Sequence, residues 1–286
     1  MNRRKVIDLL PALISSLIVL TFFFIPIIIS IKESFQDFGG RNVGFDNYVE
    51  MFNDINFQDA LWYTTKLTLI AIVIVMVSAV ILAIALRRTF VGKKLTLFML
   101  QFDISMPTIT CASMMLIVFS RTGFTSSLMY NLGIISSYDG FPEIFHNPQG
   151  YGVILTVVWM FVPYIALSFL AVLHSISNDL DDQAATLGVG KVRRFIHLTI
   201  PSLKSSIAYT AILCFACIFG SFELPSLVGS EHSLVTLAYY YYNSALYSSV
   251  EHMEAYTISI VLFLIIVAVS SLLMYYSLVS ARRNDS

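Results

Sequence analysis

Charge is scarce in this chain. Lysine, arginine, aspartate and glutamate together make up 12% of its 286 residues, where soluble domains carry about 25%. That shortage excludes an ordinary water-soluble globule, and a formal net charge of −1 excludes the basic footprint of a nucleic-acid binder. Cysteine is also rare. Cys111, Cys214 and Cys217 are the only three, and all stand in apolar stretches. Cys214 and Cys217 form a CxxC without a second pair or a nearby histidine, which reads as helix packing and implies no disulfide framework. A phosphate-binding loop is missing. The nearest approach, Gly190-Lys191, is followed by Val192, and Ala185 stands where the first glycine belongs. No Ser/His/Asp set or His/Cys cluster falls at catalytic spacing, so neither catalysis by this chain alone nor ATP binding in the usual P-loop way is expected.

What the chain has in quantity is apolar surface: 57% hydrophobic residues, with 22 Phe and 15 Tyr. A membrane-crossing helix needs about 20 such residues in a row. Six stretches qualify, 9–31, 63–86, 95–119, 151–173, 206–229 and 255–279, and predict an all-α membrane protein. Basic residues orient them. Arg3, Arg4, Lys5, Arg87, Arg88, Lys93, Lys94, Lys191, Arg193, Arg194, Lys204, Arg282 and Arg283 are 13 of the 17, and all fall on one side of the six spans. The positive-inside rule puts that side, with both termini, in the cytoplasm. The first apolar run is too long for a signal peptide and no small-x-small cleavage site follows it, so an uncleaved helix is expected. This divides the chain into a first helix with its outer loop (1–62), a five-helix core (63–279) carrying a cytoplasmic loop at 175–205, and a tail (280–286).

The outer segment from Lys32 to Trp62 is acidic, and short amphipathic helices fit there. The one from Arg121 to Gly150 is rich in Gly, Ser, Asn and Pro and carries no chemical motif. Three places in or just beyond the apolar spans hold polar groups worth weighing. Asp103 is expected about 12 Å into the third span at about 1.5 Å per residue, and a carboxylate there is costly unless it faces protein, water or the membrane edge. Pro107, just beyond it, is expected to bend that helix. Glu223 is expected in the outer half of the fifth span, about 25 Å along it, beside a helix broken by Pro225. It reads either as a pathway residue attracting a cation or as the partner of Lys66. Tyr239 to Tyr242, with Tyr240 among them, read first as an aromatic belt and secondly as a cation–π surface. His174 and His197 lack a second ligand at metal spacing.

The segment from Ser175 to Ser205 is the longest polar-studded stretch between two apolar spans. Asn178 can cap a short helix and Gly188 can close it in a left-handed conformation. A second short helix would then carry Lys191, Arg193 and Arg194 and yield to the next span at Pro201, which has no N–H to donate. The bland reading is a cytosolic loop that only sets topology. Asp182-Gln183-Ala184, three residues, Gly188, nine residues, then Leu198-Thr199-Ile200-Pro201 resembles the EAA motif of ABC importer permeases, Glu-Ala-Ala, three residues, Gly, nine residues, Ile-x-Leu-Pro. Asp182 replaces Glu, Gln183 replaces the first Ala, and the Ile/Leu pair is swapped.

The resemblance extends over nearly the whole chain, including FDNYVEMFNDINFQDALWYTTKLTL before the second span and FGSFELP in the fifth. It implies the type I ABC importer permease (MetI-like) fold in a bacterial cytoplasmic membrane, surrounded by lipid. It implies a second permease subunit, identical or related, a dimer of ATP-binding cassette ATPases that bind ATP and Mg, and an external solute-binding protein. The ATPases would dock on the loop bearing Asp182, Gln183, Ala184, Gly188, Leu198, Ile200 and Pro201, and this chain would itself hold no cofactor. ATLGVGKVRRFIHLTIP resembles permeases for spermidine and putrescine more than the sugar group, which carries Ile-Asp-Gly-Ala where Thr186, Leu187, Gly188 and Val189 stand here. A polyamine or similar small cation would suit Glu223, Asp103 and Tyr240. Iron, thiamine, sulfate and phosphonate permeases share the loop style, and sugar is a further alternative substrate. A secondary transporter, which would show inverted repeats, is the competing class.

Overall fold

The computed structural model describes residues 14–37, 39–175, 184, 186–229, 232–245 and 252–282. Among them, five helices are long and apolar enough to cross a membrane. These are α1 (Ile14–Ser34), α3 (Ile55–Arg87), α7 (Tyr151–Ser175), α8 (Lys191–Phe219) and α11 (His252–Arg282). Shorter helices lie between them: α2 (Asp46–Asn53), α4 (Lys93–Ile104), α5 (Thr108–Phe119), α6 (Phe124–Asn131), α9 (Glu223–Val228) and α10 (Leu234–Ala245).

The expected third span, 95–119, is therefore not one helix. It is two 12-residue helices, α4 and α5, parted at Ser105–Pro107. Pro107 has extended backbone, φ −62° and ψ 147°. Its ring clashes with the carbonyl four residues back and excludes helical geometry from the residue before it. Where a bend was expected, the ladder lapses: the Ser105 N–H reaches Phe102 O, and the next bond runs from the Cys111 N–H to Pro107 O.

Three other prolines stay inside long continuous helices; Pro163 lies within α7, and the other two share a reason. Pro26 and Pro201 each stand two residues past a wider π segment, Leu20–Phe24 and Phe195–Thr199. The carbonyl four residues before each, Phe22 or His197, belongs to that wider turn, which relieves the usual proline clash. The expected boundary at Pro201 is thus absent. The second loop helix and the fifth span are one 29-residue helix, α8, ending at Gly220 rather than 229.

Residues 62–233 with 266–286 form one compact unit, and 1–61 with 234–265 another. In the larger unit, Ala71, Val75, Ala79 and Ala83 on α3 are fully buried. Small residues at every fourth position make one face on which other helices can approach closely. They join Val157, Ile165 and Phe169 of α7, Leu203, Cys214 and Ile218 of α8, and Leu224 and Val228 of α9 in one packed cluster. Helix α7 touches α4, α5 and α8, and α9 packs on α5 and α7. On α3 the residues Val73, Val77 and Ile81 remain exposed, as a helix apolar on every side requires of a membrane environment.

The smaller unit holds α1, the segment after it and α10. The Ser34 and Tyr48 hydroxyls lie 2.7 Å apart. The Asn47 amide donates to the carbonyls of Ser34 and Gln36, both at 2.9 Å. The expected short helix in the acidic segment is α2. Beyond it Asp54 caps α3, accepting from the Asn56 N–H at 2.9 Å, one of the orphan donors every helix start exposes.

Candidate functional site

The loop before α8 begins among residues outside the described set, and Asp182 and Gln183 are among those. From Ala184 onward its geometry is defined. Ala184 and Thr186 are helical. Gly188 then takes φ +78°, and the Val189 N–H closes back on Ala184 O at 3.0 Å. A six-to-one bond around a left-handed glycine is a Schellman stop. An added Cβ on Gly188 would meet nothing within 4 Å. Glycine is therefore required by the backbone angle here and not by crowding.

Gly190 is extended and serves as the N-cap of α8, receiving the Arg194 N–H at 3.0 Å. From this start the helix shows two faces. Leu187 (83%), Val192 (72%) and Ile196 are exposed apolar side chains, while Leu198 and Ile200 are half-buried and Pro201 is exposed. Leu203 is fully buried in the main cluster and anchors the segment. His197 is occupied locally, its Nδ1 lying 2.9 Å from Arg193 O. The result is an apolar knob rimmed by Lys191 and Arg193, joined without interruption to a membrane-spanning helix.

The expected pathway residues are dispersed. Glu223 does not lie within the fifth span. Helix α8 stops at Gly220, and Glu223 opens the separate helix α9, exposed, while Leu224 and Pro225 behind it are buried. The break thus comes before Glu223, and Pro225 sits in the first turn of α9, where a missing N–H costs nothing. Lys66 is exposed as well, and no ion pair joins it to Glu223 among the described residues. Asp103 is in the last turn of α4, its side chain outside the description. Tyr240 is 62% exposed.

Its neighbour Tyr241 is the tyrosine the fold uses. Only 9% exposed, it donates its hydroxyl to Asp54 Oδ2 at 2.9 Å, so one carboxylate both caps α3 and holds α10. Burial first, then the hydrogen bond and charge of Asp54, raise the Tyr241 hydroxyl above the ordinary tyrosine pKa. Sequence reading missed this pair because the four tyrosines look equivalent in a row. The available signal was Asp54 at the head of the segment that leads into the second span, where a carboxylate can cap a helix and accept from a second partner.

A second close approach lies at the end of α9. Gly229 has φ +86° and the His146 N–H bonds Val228 O at 3.1 Å. A Cβ on Gly229 would come within 2.6 Å of His146 Cα. His146 itself is left-handed at φ +55°.

Comparison with known proteins gives this architecture its place. Residues 75–284 match the family described as Binding-protein-dependent transport system inner membrane component. The chain belongs to that family. It is an ABC importer permease subunit, embedded in the membrane, with the MetI-like fold. The permease is 28% identical over 208 residues to the sulfoquinovosyl glycerol transport system permease protein SmoG of Agrobacterium fabrum, covering 69% of this chain and 65% of that protein, slightly under two thirds of its length. It is 24% identical to the sulfate transport system permease protein CysW of Synechococcus elongatus, over 76% of this chain and 72% of that one. With the arabinooligosaccharides transport system permease protein AraP of Bacillus subtilis it shares 27% over 88% of this chain and 82% of that one. A crystal structure of a bacterial ABC transporter involved in the import of the acidic polysaccharide alginate has the same fold, with TM-score 0.77 at 18% identity over 96% of this permease and 94% of that chain.

Proposed function

We propose that this permease is one of two such subunits in an ATP-driven importer of saccharide-like solutes, and that residues 175–205 dock on a partner ATPase. The continuity of α8 from the Gly188 stop to Phe219 carries this reading. At about 1.5 Å per residue a 29-residue helix is about 43 Å long, so a pull on the Leu187–Ile196 knob tilts a lever reaching across the membrane. No hinge interrupts it before Gly220, where α9 and Glu223 begin.

In this mechanism ATP and Mg bind between two ATPase subunits, not on this chain. Their closure draws in the loop bearing Asp182, Gln183, Ala184 and Gly188. Helix α8 moves as a rod through Leu198, Ile200 and Pro201 and shifts the packed helices around it. An external binding protein delivers the solute, and hydrolysis resets the rod. Both termini lie in the cytoplasm on this reading, because the basic residues gather on that side. The second permease subunit, identical or related, completes the path.

The saccharide assignment draws on relatives whose names specify sulfoquinovosyl glycerol and arabinooligosaccharides. The polyamine reading has no such support among those relatives; it rests on the resemblance of the loop and on Glu223, Asp103 and Tyr240, of which Glu223 is exposed at the α8–α9 break. Glu223→Gln separates the two. In proteoliposomes holding the complete importer, a cation site loses uptake about tenfold or more on losing a paired charge, while a saccharide path keeps it. Retrieval of a P-loop ATPase with the chain from mild detergent tests the importer reading, and clean recovery without one, in a preparation that still transports, would overturn it in favour of a secondary transporter.

A further inference from the structure

After α5 the chain makes an excursion that the docking loop does not explain. Residues 122–138 contain no lysine, arginine, aspartate or glutamate, yet most of them are exposed. A water-facing loop of that length would carry about four charges. Charge returns only at its edges, with Arg121 before it and Asp139 after it, and Arg121 pairs with Glu143 at 3.5 Å. Helix α6 turns its Ser126 side inward, the buried hydroxyl donating to Gly123 O at 2.9 Å. Gly123 lets α6 fold tightly back on the end of α5, since a Cβ there would come within 2.5 Å of Ile117 O. On the opposite side Phe124, Leu128 and Leu132, spaced by four on one face, are 67%, 47% and 64% exposed. Ile134 is exposed too, as is a stacked ring pair, Tyr130 and Tyr138, with centroids 5.1 Å apart.

The backbone of this excursion closes on itself. The Gly123 N–H donates to Ser120 O at 2.9 Å and the Ser127 N–H to Gly123 O at 3.0 Å. A Schellman stop at the left-handed Gly133 ends α6, with the Gly133 N–H on Tyr130 O at 3.0 Å and the Ile134 N–H on Met129 O at 2.9 Å. Donors satisfied within the chain, exposed apolar side chains and no charge are together what a segment bordering hydrocarbon needs. Ile109 and Ile117 of α5 are exposed as well, so the apolar surface of a membrane-embedded helix leads up to this turn.

We propose that residues 122–138 are a membrane-interface anchor, with phospholipid covering the Phe124–Leu128–Leu132 face. Helix α6 lies at the headgroup boundary, its apolar stripe among the upper acyl chains. The tyrosine pair stands at headgroup level, where an aromatic body and a polar tip are both satisfied. On the orientation proposed above, this is the outer leaflet. Through the close turn at Gly123 the anchor bears on the end of α5 and fixes the height of that helix in the bilayer.

The test attaches a nitroxide to a single cysteine at Leu128 or Phe124, in the complete importer reconstituted in phosphatidylcholine and otherwise free of cysteine, with Cys111, Cys214 and Cys217 replaced by alanine. Oxygen reports exposure to lipid, and a water-soluble nickel chelate present on both faces reports exposure to water. Glu143→Cys, on an exposed loop residue, is the aqueous reference. The anchor predicts an oxygen-to-nickel collision ratio at least about fivefold above that of Glu143→Cys. A ratio equal to the reference would put the face in water and overturn the proposal. Low collision with both reagents would mean that another subunit covers the face, and would overturn it equally. Phe124→Cys, at the first turn of α6, carries the test where Leu128→Cys fails to assemble.

Discussion

The strongest lever on the docking loop is the backbone angle of Gly188, and its effect can be worked out in advance. At φ +78° any residue with a Cβ is strained by about 1–2 kcal/mol. Replacing glycine also removes freedom from the unlocked loop, which returns about 0.4–1 kcal/mol. No steric term enters, because the added Cβ meets open space. Gly188→Val, β-branched and at the high end of strain, should therefore cost the closed turn about 1 kcal/mol, roughly a fivefold fall in its population. Gly188→Asn tolerates the left-handed region and should lie within about twofold of the parent. The assay is ATP-driven uptake in proteoliposomes, normalised to ATP hydrolysed, with membrane insertion checked separately. The expected order is Gly, then Asn, then Val. Equal activity of the Val and Asn variants would refute the argument from the turn, and equal collapse of both would point to crowding of the docked surface instead.

Other parts of the fold give further outcomes. Tyr241→Phe removes a hydrogen bond to a carboxylate and should destabilise by about 1.5–3 kcal/mol, read as a lower thermal midpoint of the purified complex. Because the folded Tyr241 pKa is raised, its contribution is fully present below the unfolded value of about 10 and is lost as pH rises through the folded one. The parent's midpoint should thus fall more steeply above that pH than the Phe variant's. Gly229→Ala combines left-handed strain of about 1–2 kcal/mol with overpacking against His146 Cα of about 1–3 kcal/mol, and should lower the midpoint sharply. His146→Gly relaxes the φ +55° residue across that contact and should restore part of the loss, whereas no rescue would show that the two positions are not coupled.

Much of this architecture was legible from apolar run length, since five of the six expected spans are single helices and all of these but the fifth end close to where they were predicted to. The third failed, and the fifth shifted, for one reason. A hydropathy pattern does not report whether a proline is accommodated. Pro26 and Pro201 follow π segments and remain helical, Pro163 remains helical inside α7, and Pro107 interrupts the helix. The same limit affected the pathway residues. Glu223 was read in the outer half of a span starting at 206, beside a break at Pro225, but α8 begins 15 residues before the expected 206 and ends at Phe219, so the break comes before Glu223. Gly188 was legible because a glycine at the end of a short helical arm has one common use. Asp54 and Tyr241, far apart in sequence, had no local signature to join them.

The two unforeseen features also explain each other's placement. An uninterrupted α8 transmits displacement only if something beside it yields, since packed interiors shift between discrete arrangements rather than bending smoothly. Helix α7, which packs along α8, also packs on α4 and α5, on both sides of the break at Ser105–Pro107. A tilt of α8 therefore reaches a pair of half-helices whose junction holds no ladder hydrogen bond, the cheapest place in the unit to move. On the proposed reading, α8 as a lever and the junction at Ser105–Pro107 as its yielding neighbour are two parts that a gate driven from one face of the membrane requires, and α7 packs on both.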